Sequence, residues 1–111
     1  MGDDIIIRYD ENSRVVTVTP EGELDHYLAE NMRNTIDAWI LKNNARMVVF
    51  DMTDVGFMDS SGIGMLIGRY KLMKRRGGTV RVRGMKDEVF RLFKMSGLGQ
   101  IIVNEERNEK L

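Results

Sequence analysis

Two hydroxyls and two glycines meet in Met58-Asp59-Ser60-Ser61-Gly62-Ile63-Gly64. Four kinds of chemistry suit such a run. Asp and Ser are ordinary helix N-caps, because their short side chains accept from the free N–H groups of the first turn. That account uses one serine and leaves Gly62, Gly64 and Gly68 unexplained, each costing up to ~1 kcal/mol relative to Ala inside a helix. Glycines at this spacing bare a strip of backbone, which either the sheet or a partner then approaches closely. A dinucleotide-binding turn is a poor match. It needs its glycines directly after the first strand and an acid after the next, whereas here a connection intervenes and the next predicted strand ends in Arg83-Gly84. A nucleophilic serine needs Gly-x-Ser-x-Gly. Met58 stands two before Ser60 and Asp59 two before Ser61, and the only histidine, His26, lies at an unrelated predicted helix start. The fourth reading is a phosphoacceptor. A phosphate adds close to two negative charges and three strong acceptors, and helix N–H groups can receive it locally. A partner packed on the glycine strip would then meet bulk and charge. From these residues alone, capping and phosphorylation both stay open.

The elements that position this run follow from apolar spacing. Ile5-Ile6-Ile7 and Arg14 to Thr19 read as strands, joined by Asp10-Glu11-Asn12-Ser13 as a hairpin turn and stopped by Pro20. Leu28, Met32, Ile36 and Trp39-Ile40 recur at helical spacing over Tyr27 to Lys42, with Asp25 as its cap and Asn43-Asn44 at its exit. Met47 to Phe50 is a continuous apolar run, as expected of a central or doubly covered strand. Asp51 to Asp59 reads as a connection. A second helix is predicted from Ser61 to Arg76, stopped by Gly77-Gly78. Thr79 to Arg83 alternates as a strand. Lys86 to Ser96 follows as a helix with Val89, Leu92 and Phe93 inward, closed by Gly97 and Leu98, and Gln100 to Val103 is the last strand. No internal repeat or low-complexity segment is visible. The order β-β-α-β-α-β-α-β predicts a single α/β domain over 1–111. Its mixed sheet is opened by an N-terminal hairpin, with a core over about 4–104 and a charged tail at 105–111.

Composition narrows the function classes. With 42% hydrophobic and 31% charged residues, the chain is an ordinary globular one. Cysteine is absent, so disulfides, thiolate metal sites and a Cys nucleophile are excluded. No apolar run approaches the ~20 residues of a membrane helix. The acidic start, Met1-Gly2-Asp3-Asp4, lacks signal-peptide character, and Ile6 stands where a myristoylation motif wants Ser or Thr. A cytoplasmic protein is expected. Residues 1–60 carry 12 acidic and 5 basic groups, net −7, and residues 61–111 carry the reverse, net +7. Interleaving of the two halves is expected to cancel most of this. Lys74-Arg75-Arg76 falls at a predicted helix end, where cations suit the helix dipole, so it gives little support for nucleic-acid binding.

Three segments together carry a resemblance: Gly22-Glu23-Leu24-Asp25-His26 with Ala29-Glu30, Phe57 to Lys71, and Arg91 to Leu98. In these the chain resembles the anti-sigma factor antagonists, the founding group of the STAS domain family, and most of all those of the sporulation sigma-F pathway. Residues 104–111 look shorter than the final helix usual there. The resemblance implies a protein-interaction switch and not an enzyme. The unmodified form would bind an anti-sigma factor that is also a serine kinase and so release the sigma factor. Phosphorylation at Ser60 would abolish binding, and a serine phosphatase would restore it. ATP belongs to the kinase, so neither cofactor nor metal is implied for this chain. Asp59, Ser61, Gly62 and Gly64 would shape the loop and the partner contact, with Asp25 docking beside them or simply capping its helix. His26 is read as a surface residue. No nucleic-acid or membrane partner is implied, and the free protein is expected to be monomeric. The alternative is a ligand- or nucleotide-sensing STAS domain.

Overall fold

The computed structural model describes residues 5–105. Strands β1 (Ile5–Asp10) and β2 (Val15–Pro20) form the predicted hairpin, with Ile7 opposite Val18. A short β3 (Gly22–Leu24) leads into α1 (His26–Asn43). Next come β4 (Met47–Asp51), β5 (Val55–Met58) and α2 (Ser60–Arg75). The chain continues through β6 (Thr79–Arg83), α3 (Asp87–Met95), a 3₁₀ turn at Leu98–Gln100, and β7 (Val103–Asn104).

The main sheet runs β1-β2-β4-β6-β7, and every pairing after the hairpin is parallel. Each crossover steps the same way across the sheet, and right-handed crossovers then lay the helices on one face. Burial agrees with this. Val16, Val18, Val48, Phe50, Val80 and Val82 face the helices and are buried, whereas Thr17, Thr19, Arg81 and Arg83 on the other face are half-exposed. The least extent, 20 Å against 35 and 33 Å, fits one sheet and one helix layer. Met47–Phe50 is central, as its apolar run predicts, and Leu28, Met32, Ile36 and Ile40 seat α1 on the core. Trp39 is only half-buried.

The structure departs from the sequence-based expectation in three places. The predicted connection Asp51–Asp59 contains β5, which pairs in parallel with β3 as a separate two-stranded sheet. Helix α2 starts at Ser60, with Asp59 as its N-cap, one residue before the predicted Ser61. Gln100–Val103 is not a strand. Gly97 takes a φ of 84° and buried Leu98 anchors a turn, so the N–H groups of Gln100, Ile101 and Ile102 bond to the carbonyls of Gly97 and Leu98. Those local bonds consume the donors a ladder would need, and only Val103–Asn104 pair with β6. The expectations for the acidic N-terminus and for the tail from 106 onward lie outside the described residues.

The strand and helix directions sort many of the charges into two poles. Parallel strands and antiparallel helices put every helix start at one pole and the ends of α1 and α2 at the other. The first pole gathers Glu21, Glu23, Asp25, Glu30, Asp54 and Asp59, with Arg83 and Lys86 also at this end; the second gathers Arg14, Lys42, Arg46, Lys74, Arg75 and Arg76, with Asp10 and Glu11 of the hairpin turn beside Arg14, so the first stays acidic and the second basic. Backbone bonds tie the second pole together, from Arg46 N–H to the Arg14 carbonyl at 2.8 Å and from Thr79 N–H to the Arg46 carbonyl at 3.1 Å.

Candidate functional site

The small β3–β5 sheet brings together two similar tetrapeptides, Gly22-Glu23-Leu24-Asp25 and Gly56-Phe57-Met58-Asp59, with a bulge that sets Gly22 opposite Val55. Leu24 stands opposite Met58 and Glu23 opposite Phe57. The Asp59 N–H reaches the Leu24 carbonyl at 3.4 Å, so Asp25 and Asp59 emerge side by side, each starting a helix. Each carboxylate accepts from its own first turn: Asp25 Oδ1 from Leu28 N–H at 3.1 Å, and Asp59 Oδ1 from Ser61 N–H at 2.8 Å. The repeated Gly-x-apolar-Asp pattern is the sequence signal that marks this second sheet. Three and four residues, each with a glycine, are too short to read as strands on propensity.

The two serines differ. Ser60 is exposed at the first helical position, and its hydroxyl has no hydrogen-bond partner among the described residues. Ser61 is half-buried and lines a groove of about 210 Å³ between α1 and α2. The α1 wall is His26, Ala29, Glu30 and Arg33; the α2 wall is Ser61, Gly64 and Met65. Glu30 pairs with His26 at 3.4 Å and Arg33 at 3.2 Å. Both pairs are exposed and so worth at most about 1 kcal/mol, which leaves Glu30 free to exchange partners.

The glycines divide by role. A Cβ at Gly62 would lie 2.5 Å from Met58 Cγ and 3.1 Å from Leu24 Cδ2, so this glycine lets α2 rest on the small sheet. A Cβ at Gly64 or Gly68 would meet nothing within 4 Å. The fold uses the first glycine and leaves the other two bare. Exposed aromatics stand near the starts of the same two helices: Tyr27, in the first turn of α1, is 80% exposed, and Phe57, at the end of β5, 46%. Sequence reasoning missed both, together with the groove residues Arg33 and Met65. An isolated aromatic in a sequence carries no sign of its exposure.

A buried ion pair fixes the spacing of α1 and α2, and with it the groove. Arg69 Nε approaches Asp37 Oδ1 at 2.8 Å, with the Arg69 side chain only 8% exposed. The N–H points off the oxygen, so the contact is chiefly ionic. Burial lowers the Arg69 pKa, and the Asp37 charge opposes that shift. At the end of β4, burial works to raise the Asp51 pKa. Hydrogen bonds from the Thr53 hydroxyl and N–H and the nearby Arg83 guanidinium outweigh burial and hold it below the usual carboxylate value. Among the described residues, no three or more His, Asp or Glu side chains come together to hold a metal ion, and no helix is long and apolar enough to cross a membrane.

This arrangement has close counterparts. The STAS domain family model matches residues 7–110. The chain belongs to the STAS domain family. Its relatives within that family are anti-sigma factor antagonists. The anti-sigma F factor antagonist of Paenibacillus polymyxa is 36% identical over 96 residues, covering 86% of this chain and 82% of that protein. The anti-sigma-B factor antagonist of Bacillus subtilis is 29% identical, covering 89% of each. Among solved structures, the anti-sigma factor antagonist SpoIIAA in its unphosphorylated form superposes with a TM-score of 0.81 at 25% identity, over 96% of this STAS domain and 91% of that chain. SpoIIAA in its phosphorylated form gives 0.73 at 24% identity, over 96% and 95%. The mixed sheet and three helices of this chain are thus the STAS fold.

Proposed function

We propose that this protein is a phosphorylation-switched anti-sigma factor antagonist, docking through the pole where α1 and α2 start. The observation that carries the reading is the contrast among the glycines. Gly64 and Gly68 cost helix stability and serve no packing within the chain. A bare backbone strip on α2, with exposed Tyr27 and Phe57 near the same helix starts, is the composition of an interface core. The partner is an anti-sigma factor with serine kinase activity, as the relatives' names and the Asp59-Ser60-Ser61-Gly62 run suggest. Ser60 is the acceptor, because its hydroxyl is exposed and unengaged while Ser61 is turned into the groove. A phosphate there sits on the helix N-terminus without disturbing the core, and it places bulk and charge on the docking surface. Asp59, Ser61, Gly62 and Gly64 shape that surface, and Asp25 both caps α1 and borders it. A serine phosphatase reverses the change, in the cytoplasm.

A small-ligand or nucleotide sensor fits less well. The groove is below the ~300 Å³ at which small-molecule pockets begin. The parallel strands add in one direction, so there is no strand-order reversal to open a ligand crevice. Incubation with the kinase and ATP, followed by mass-spectrometric mapping, is expected to place phosphate on Ser60. Stable phosphate on another residue would overturn the site assignment.

A further inference from the structure

The two charged poles lie at opposite ends of the strand direction. The basic pole takes no part in the docking surface described above. Among the described residues, Arg14, Lys42, Arg46, Lys74, Arg75 and Arg76 form no ion pair with a carboxylate. Arg14 and Arg76 are held in place by Asn44, through its carbonyl at 2.9 Å and its Oδ1 at 3.0 Å, so two members of the cluster are fixed. Local capping of α1 explains those two arginines. The helix dipole suits Lys42 and Arg75 in the last turns of α1 and α2, but Lys42, Arg46 and Arg75 stay exposed, make no side-chain hydrogen bond among the described residues and keep their charges open to a partner.

The acidic pole offers the matching array, with Glu21, Glu23 and Asp54 exposed and likewise without a cationic partner among the described residues. We infer that the protein associates head to tail with a second copy of itself, the basic pole of one against the acidic pole of the next. Such a contact is heterologous, since the two patches differ. Charge drives it with little apolar burial, so it is weak, fast and sensitive to salt. It covers the pole that carries Ser60 and competes there with any other partner. A negative charge at position 60 strengthens it, by about twofold per unit charge facing an opposite one ~8 Å away in water. The inference does not depend on whether a kinase acts on Ser60.

Sedimentation velocity on the full chain tests this at about 10 mM salt, where charges act over ~30 Å, and at about 1 M, where they act over ~3 Å. The weight-average mass is expected to rise with concentration only at low salt, and further for Ser60→Glu. Lys42→Glu with Arg75→Glu lowers the charge of the basic pole by four, and Glu21→Lys with Glu23→Lys raises that of the acidic pole by four; all four sites are exposed. Each double variant alone is expected to stay monomeric, while an equimolar mixture forms a one-to-one dimer through the two intact poles. Wild-type protein that stays monomeric at low salt overturns the inference. So does association that survives high salt or either double variant, or a mixture that forms no dimer.

Discussion

Replacing Gly64 with alanine separates the demands of folding from those of docking. Gly64 lies inside α2, is exposed, and has open space where a Cβ would stand. Helix propensity favours Ala over Gly by about 0.8–1 kcal/mol. With no clash to offset that gain, Gly64→Ala should stabilise the isolated protein by nearly the full amount. In a domain of this size that raises Tm by roughly 4 °C or more. Gly62→Ala is the control. Its Cβ would press on Met58 Cγ at 2.5 Å and Leu24 Cδ2 at 3.1 Å, and overpacking of this kind costs about 1–3 kcal/mol. Thermal unfolding should therefore move in opposite directions for the two variants. Affinity for the anti-sigma partner, measured by calorimetry, should fall at least tenfold for Gly64→Ala, about 1.4 kcal/mol, if the partner rests on bare backbone. A stabilised Gly64→Ala protein with unchanged affinity would refute the close-approach argument. A destabilised one would refute the geometry of α2.

Ser60→Asp should leave Tm unchanged or slightly raised, because an acid in the first turn gains about 0.3–1 kcal/mol from the helix dipole, while partner binding weakens; full binding by this variant would count against interface blocking. Asp37→Ala should cost about 3 kcal/mol, the low end for stripping the counter-ion from a buried charge, since Arg69 stays buried and Asp37 is itself partly exposed; urea unfolding of this variant and of Arg69→Met distinguishes a stranded charge from lost packing. The Asp51 pKa lies lower in the folded state than in the unfolded chain. Its contribution to stability is therefore full above the ordinary value of 3.8 and is lost as pH falls through the lower folded value. Tm against pH should drop less steeply in that acid window for Asp51→Asn than for wild type, and parallel curves would remove Asp51 from the acid transition.

The local rules were strong enough to read much of this molecule from its residues alone. Apolar spacing placed the hairpin, the three helices and the central strand. Asp25, Asn44 and Gly97 marked helix ends because a cap or a left-handed turn depends on a few neighbouring atoms. The Asp59-to-Gly64 run stood out for the same reason. Its chemistry is local, even though the first residue of its helix was read one position late. Three-dimensional placement decided the rest. The β3–β5 pair exists only because two very short segments far apart in sequence find each other, and that pairing sets Asp25 beside Asp59. Which serine is exposed, and which glycine the sheet uses, depend on how α2 settles on Met58 and Leu24. The last predicted strand gave way to a turn because left-handed Gly97 and buried Leu98 start a local run of hydrogen bonds that uses the donors a ladder would need. The charge of the two halves was plain in the sequence. Which charges share a pole was not, because it follows from the direction in which strands and helices run, a property no stretch of sequence carries by itself.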